Sequence, residues 1–299
     1  MQYRSKIPLA LERYLFDGLL LALLVILYTP LLIHWCDGWL NKSISLEHEY
    51  FSHGLIGIPF AAYLSWKNRQ QWHQLPSTTH PLGIALLVLG GLFYLTGQSE
   101  LVNLSFPLLL VGLCLWFKGI PGLKLQSFPL LLIFLATPTA VPYLISPYIL
   151  PLQRFIAGVA GFFLTHLGMD VTVSGINLLV GGRVVEVAPH CAGLKMLFTN
   201  LYVGLMLVYW MGTWKSAQKT TLFFLGVIFI SVSANIVRNS FLTFFYGTGR
   251  DDAFHWLHDS WGGDIYSAGM LVMLVVLLNW IDRYGKRQKA EGRREKIDR

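Results

Sequence analysis

Long apolar runs are the feature of this sequence that most limits how the chain can fold. Only 13% of the 299 residues are charged and 54% are hydrophobic, whereas a soluble domain carries about 25% charged residues. An apolar run of about 20 residues can cross the hydrocarbon core of a bilayer as a helix. We therefore predict an all-α polytopic membrane protein that forms a single integral membrane domain over residues 1–299. Its eight predicted spans cover approximately residues 16–35, 52–66, 82–98, 101–117, 125–141, 191–211, 220–246 and 264–282.

The basic residues between the apolar runs predict the orientation of the spans. Lysine and arginine concentrate in the cytoplasmic segments of membrane proteins. Eight spans place the basic residues of the connecting segments and of both ends on one side. We therefore predict a plasma (inner) membrane protein with a cytoplasmic N-terminus, residues 1–15, and a cytoplasmic charged tail, residues 283–299. The basic residues behind the net charge of +7 are then expected to set the orientation of the spans and to contact anionic membrane lipid. Nucleic acid is not expected as a partner.

Two further segments are expected to lie outside the spans, on the outer face. Residues 146–167 are apolar, but prolines interrupt them, and a ninth crossing would put Lys215 and Lys219 on the wrong side. They are predicted to form an interfacial or re-entrant helix. Residues 169–188 alternate in polarity and are broken at Ser174-Gly175 and Gly181-Gly182, a pattern that predicts a small outer β-hairpin.

Cys191 opens the sixth span at its predicted outer end. The unpaired backbone N–H groups and the helix dipole at such a position favour the nucleophilic thiolate. The alternative is a buried, inert cysteine, which is the commoner fate of a free thiol. Cys114, in the middle of a leucine-rich span, is typical of that second kind.

Arg238 lies inside the seventh predicted span. Counted back from Tyr246, it is about 12 Å inside the outer end of the helix. An arginine at that depth is costly and marks a functional site or a paired structural ion. Asn235 lies one turn earlier on the same helix face and is a possible supporting residue.

His258 lies in the predicted outer loop before the last span, three residues after His255. A histidine in such a loop is usually a surface group, but near a thiol and an arginine it is suited to act as a general base. Cys191, Arg238 and His258 all fall near the outer interface in the predicted topology. A thiolate, an imidazole base and a fixed cation together can catalyse acyl transfer.

A second polar cluster, HEYFSHG, precedes the second span and contains His53. Its spacing fits no standard metal site, so we predict no metal and no cofactor, and we expect at most a supporting role for His53. Cys36 is also predicted to lie outside. A Cys36–Cys191 disulfide is therefore an alternative in an oxidising compartment, and it would silence the proposed nucleophile.

The ordered motifs HEYFSHG, VEVAPHCAGLK, ANIVRN and LHDSWGG resemble the exosortase/archaeosortase family, in particular its cyanobacterial branch, the type B cyanoexosortases. The resemblance covers about Tyr50 to Asp282. It implies that Cys191 is the nucleophile, Arg238 the cation and His258 the general base. It also implies a membrane cysteine protease or transpeptidase whose partners are exported proteins with a C-terminal sorting signal, made of a short motif, a transmembrane helix and a basic cluster. Cleavage is expected at the outer face, with transfer to a surface acceptor.

The chain departs from this family around the nucleophile. The family usually has Ala-Cys-Ser-Gly, whereas this chain has His190-Cys191-Ala192-Gly193, which makes His190 an alternative base. Neighbouring residues on a helix point about 100° apart, which favours His258.

Two other classes of function stay open from the residues. A transporter would use Arg238 as a binding charge and would need a polar track across the bilayer. A non-enzymatic scaffold for surface-polymer export would not need Cys191. The sequence gives no oligomeric state.

Overall fold

The computed structural model describes residues 9–40, 50–187, 193–258 and 260–297. The chain divides into two compact units, Met1–Thr139 and Ala140–Arg299. The single membrane domain stays a prediction.

The described helices of the first unit correspond to the first five predicted spans. The fourth and fifth spans form one helical stretch that is broken at Gly119, with φ 59° and ψ −152°. Asn103 Nδ2 donates to the Pro138 carbonyl at 3.1 Å, although a straight helix would separate the two residues by about 50 Å. The chain therefore reverses at Gly119. The helices of this unit are α1 Leu9–Leu40, α2 Gly54–Lys67, α3 Arg69–Gln74, α4 Pro81–Leu95 and α5 Ser99–Ala136.

Buried polar contacts hold α1 against α5. Trp35 Nε1 donates to Asn103 Oδ1 at 2.8 Å, and the Tyr28 hydroxyl is bonded to the Ser105 hydroxyl. These contacts are inside an aromatic cluster that includes Phe106. Side-chain hydrogen bonds of this kind join helices where the surroundings are apolar.

The second unit combines a helical core with one small sheet. Helices α8, α9 and α11 pack around Val208, Phe223 and Leu274. Helix α11 continues to Ile297, so most of the predicted charged tail is helical backbone. The helices of this unit are α6 Val141–Ile145, α7 Leu150–His166, α8 Leu194–Trp210, α9 Ala217–Gly247, α10 Asp251–His258 and α11 Trp261–Ile297, with 3-10 turns at Ser146–Ile149 and Thr213–Lys215.

The sheet has one more strand than the predicted hairpin. Strands β1 Val171–Ser174, β2 Asn177–Val180 and β3 Arg183–Glu186 pair antiparallel in the order β1-β2-β3. Gly175 has φ 64° in the first turn, and Gly181 and Gly182 have φ 58° and 76° in the second. Both predicted breaks are therefore tight turns, and the second turn leads into a third strand.

In the described part of the chain, five helices are long and apolar enough to cross a membrane, and two shorter apolar helices, Pro81–Leu95 and Leu194–Trp210, accompany them. A multi-pass membrane protein is thereby supported. One of the five, Pro147–His166, is the segment that the charge pattern predicted not to cross. The five helices are Gly18–Leu40, Ser99–Ala136, Pro147–His166, Ala217–Gly247 and Trp261–Tyr284.

Helix α7 lies along the sheet. Gln153 Nε2 donates to the Val187 carbonyl at 2.8 Å, and a Cβ at Gly161 would lie 2.3 Å from Val173 Cγ2. These two contacts are about 12 Å apart along the helix. Open sheet edges do not occur in lipid hydrocarbon, so α7's contact with the sheet favours a position near the membrane surface.

Candidate active site

Gly193 is the residue nearest to the predicted nucleophile that the structure describes. Cys191 and its neighbour His190 lie outside the described residues. Gly193 precedes α8 with φ +78°, and a Cβ built on it would lie 2.7 Å from Asn235 Cγ and 2.9 Å from Asn235 Nδ2. An L side chain would be strained by the backbone and would collide with the amide. Helix α8 therefore begins directly against Asn235.

Asn235 belongs to a buried polar stripe on α9. Its members recur every fourth residue and so share one face of the helix, and each is at most 3% exposed. Asn200 Nδ2 of α8 donates to the Ser231 hydroxyl at 2.8 Å. The Thr243 hydroxyl is buried without a hydrogen-bond partner among the described residues. The members of the stripe are Ser231, Asn235, Asn239 and Thr243.

The stripe occupies one half of α9. It runs for about 18 Å from Ser231 to Thr243, towards the end of the helix at Gly247. In the other half of the helix, Phe223 and Val227 are the buried side chains. Polar side chains in a spanning helix commonly mark a functional site. The candidate site is therefore in the half of α9 that ends at Gly247, which the charge pattern predicts to be the outer one.

Arg238 is half-buried on α9 beside this stripe. Its Nη2 donates to the Leu257 carbonyl at 3.5 Å, and its Nε is buried without a hydrogen-bond partner among the described residues. In the part of the chain that the structure describes, no carboxylate forms an ion pair with Arg238. The guanidinium therefore keeps donors and positive charge that can be used by a reacting oxyanion.

His258 is the last residue of helix α10 rather than a loop residue. Its ring stacks on Phe254 with the ring centroids 5.2 Å apart. His258 is half-buried, whereas His255 is exposed. The Leu257 carbonyl accepts a hydrogen bond from Arg238. The peptide group between Leu257 and His258 therefore lies next to the Arg238 guanidinium.

Gly263, near the start of α11, permits this approach of α10 to Arg238. A Cβ there would lie 3.1 Å from the Leu257 carbonyl oxygen and 3.8 Å from Arg238 Nη2. A side chain at this position would crowd the Leu257 carbonyl, whereas its distance from Arg238 Nη2 is that of an ordinary van der Waals contact. The structure thus brings together Asn235, Arg238 and the end of α10, three of the predicted site regions.

Arg183 and Asp251 form a contact that the sequence analysis did not identify. Arg183 Nη1 forms an ion pair with the Asp251 carboxylate and donates to the Tyr246 carbonyl at 3.3 Å. The Arg183 guanidinium also lies 5.0 Å from the centre of the Tyr246 ring. Strand β3 is thereby tied to the connection between α9 and α10. The partners are 68 residues apart, so no local sequence pattern could have indicated them.

The other predicted groups are placed only in part. His53 lies in the first unit, in the turn before α2, where its Nε2 is 3.2 Å from the Leu135 carbonyl oxygen. Cys36 is an exposed residue of α1, and its pairing with Cys191 is not tested, because Cys191 is outside the described residues. Among the residues that the structure places, no group of three His, Cys, Asp or Glu could hold a metal ion.

The helices and this site define a multi-pass membrane protein with a half-buried arginine set among buried polar groups. More specifically, the chain belongs to the transmembrane exosortase family, whose family model matches residues 39–275, a range that contains Cys191, Arg238 and His258. No curated protein and no solved structure matches the chain. Membership of this family supports a membrane-embedded sorting enzyme in general terms.

Proposed function

We propose that the protein is a membrane cysteine protease or transpeptidase that cleaves the C-terminal sorting signal of exported proteins. The observation that carries the proposal is the chain of contacts from Gly193 to Asn235, and from Arg238 to the carbonyl beside His258. Successive Cα atoms are about 3.8 Å apart, so the Cα of Cys191 is within about 8 Å of the Cα of Gly193. These contacts support the proposal that the thiol, cation and imidazole of the family motif act in one region.

In the proposed mechanism, Cys191 Sγ attacks the carbonyl carbon of the scissile peptide bond. His258 accepts the thiol proton as the S–C bond forms, and the carbonyl electron pair moves to oxygen. Arg238 stabilises this oxyanion. The oxyanion then collapses, His258 donates the proton to the leaving amide nitrogen, and the C–N bond breaks to leave a thioester on Cys191.

An amine or hydroxyl of a surface acceptor, or water, then attacks the thioester carbonyl. His258 takes the proton of the attacking group, and Sγ leaves as a thiolate that regains the proton. Transfer and hydrolysis differ only in which group attacks. His190 stays the alternative base in both halves of the reaction.

The extent of the polar stripe supports an enzyme over a transporter. A transport path would need polar groups along the whole bilayer thickness. The stripe on α9 covers Ser231 to Thr243, and the half of the helix nearer to its start buries Phe223 and Val227. A site at one face, predicted to be the outer one, is what cleavage of an exported protein requires.

The proposal includes the finer predictions of the sequence. The enzyme lies in the plasma membrane with both termini in the cytoplasm and its site facing outwards. Its partners are exported proteins that end in a short motif, a transmembrane helix and a basic cluster. The ordered motifs HEYFSHG, VEVAPHCAGLK, ANIVRN and LHDSWGG support membership of the cyanobacterial branch, with the type B cyanoexosortases, by resemblance.

Processing of a tagged exported protein with such a C-terminus tests the proposal in cells. Cys191→Ala should abolish cleavage, and Arg238→Ala should slow it at least about 100-fold, the usual cost of losing an oxyanion donor. His258→Ala should also abolish it. The matched controls are Cys36→Ala and His255→Ala, the second being an exposed histidine of the same helix. Cleavage at the normal rate in Cys191→Ala, at normal membrane abundance, would favour the scaffold alternative and contradict the proposal.

A further inference from the structure

Strand β3 forms an edge of the sheet. The backbone N–H and C=O groups of its successive residues point alternately towards β2 and away from it. Val180 is paired with Arg183 across the second turn, and the Val187 N–H donates to the Ile176 carbonyl at 2.9 Å. Residues 183, 185 and 187 therefore direct their backbone groups towards β2. The N–H and C=O groups of Val184 and Glu186 point away from the sheet.

No described strand pairs with these outward groups. The sheet order is β1-β2-β3, so β1 and β3 are its two edges in the described part of the chain. An unpaired edge of this kind is a template for a further strand. Extended peptides bind many proteins by this main-chain pairing.

The two edge strands differ in their position in the chain relative to the proposed nucleophile. Strand β3 is followed by the segment of the proposed nucleophile, and Cys191 comes five residues after Glu186. Five residues span at most about 18 Å. Strand β1 follows α7 and leads to no residue of the proposed site. A peptide paired with β3 would lie one strand spacing from the strand that leads into this segment, whereas a peptide paired with β1 would lie three spacings from it.

We propose that the β3 edge binds the sorting segment of the substrate as a fourth strand, in the extended residues just before its transmembrane helix. This inference rests on the proposed function and adds the conformation and the binding element of the substrate. Main-chain hydrogen bonds to Val184 and Glu186 hold the peptide, and they place its scissile bond beside the nucleophile segment.

The exposed side chains of the sheet predict which substrate side chains this pairing would favour. Leu179 and Val184 are directly opposite each other and are 43% and 59% exposed. They form an apolar row that a fourth strand would extend. The substrate residue opposite Val184 is therefore apolar. The substrate residue two positions away, opposite Glu186, which is exposed, is not acidic.

Disulfide trapping tests the extended geometry. A Val184→Cys substitution is made in a chain that also carries Cys36→Ala, Cys114→Ala and Cys191→Ala, and single cysteines are scanned through the ten or so substrate residues before its apolar helix. Since side chains on a strand alternate between faces, cross-links should form at every second substrate position. A Thr172→Cys control, in the same cross-strand row but at the β1 edge, should give none. Cross-links at consecutive positions, or equal trapping at both edges, would overturn the inference.

Proline substitutions test the hydrogen bonds. Proline at an outward-facing edge position removes a donor without breaking the existing ladder. Val184→Pro should reduce cleavage about ten-fold, as expected for one lost hydrogen bond, whereas Val171→Pro, its counterpart at the β1 edge, should leave the rate unchanged.

The cysteine variant separates the two proposals. If Cys191→Ala still cleaves the substrate, the proposed function is wrong, and the inference that rests on it is wrong with it. If Cys191→Ala is inactive and Val184→Pro cleaves at the normal rate, the function stands and the fourth strand is wrong.

Discussion

Gly193 and Asn235 are packed so closely that no side chain fits between them. A Cβ at Gly193 would lie 2.7 Å from Asn235 Cγ, and the backbone of Gly193 has φ +78°. Asn235 is in turn a member of the buried stripe on α9. Helix α8, which Gly193 precedes, thus begins against the helix that carries Arg238.

Substitution of Gly193 by alanine should reduce both stability and processing. The left-handed backbone costs an alanine about 1–2 kcal/mol, and the close contact with Asn235 adds to it. Thermal unfolding of the purified protein in detergent and processing in cells measure the two effects. Gly158→Ala is the matched control, since a Cβ there meets nothing within 4 Å, and alanine in a helix is favoured by roughly 0.5–1 kcal/mol. Normal behaviour of Gly193→Ala in both assays would show that the contact does not position the segment.

The Arg183–Asp251 ion pair should contribute little to stability. Its side chains are 39% and 50% exposed, and exposed pairs of this kind are worth about 0–1 kcal/mol. A double-mutant cycle with Arg183→Ala and Asp251→Ala, followed by thermal unfolding, measures the coupling. We expect a coupling free energy below about 1 kcal/mol that falls further at high salt. A coupling of several kcal/mol would mean that the pair is shielded from water, against the exposure that the structure shows.

Helix α7 should have both of its ends on the outer face. Its contacts with the sheet at Gln153 and Gly161 place this stretch beside strands whose open edges need water. Single cysteines replacing Tyr148 and Leu167, which are 81% and 78% exposed, can be labelled in intact cells with an impermeant maleimide, in a chain whose native cysteines are alanine. Labelling of both positions from outside is expected. If only one is labelled, α7 crosses the membrane, and the predicted count of eight spans is wrong.

Much of the helical arrangement follows from local properties of the sequence. Apolar runs and basic flanks predicted the reversal near Gly119, where Lys118 and Lys124 mark a connection between two spans. The spacing of Asn235 and Arg238 on α9 was likewise readable from helical periodicity.

The features that the sequence did not predict depend on long-range contacts. The third strand is not predicted, because Gly181-Gly182 in the sequence does not distinguish the end of a hairpin from a turn between paired strands. The fit of Gly193 against Asn235 and the Arg183–Asp251 pair each join residues far apart in the chain, for which a single sequence carries no periodic signal. The sequence predicts a loop at His258 because α10 has only eight residues, which is too short for a clear apolar pattern.

The most direct test of the account is detection of the acyl-enzyme. The tagged substrate is expressed with the wild-type protein, and the membrane fraction is examined by electrophoresis and peptide mass spectrometry, with and without neutral hydroxylamine. The account predicts a covalent adduct between the substrate fragment and Cys191 that hydroxylamine releases, as a thioester requires, and that is absent from Cys191→Ala. Cleavage that continues in Cys191→Ala, or an adduct that maps to another residue, would contradict the assignment of Cys191 as the nucleophile.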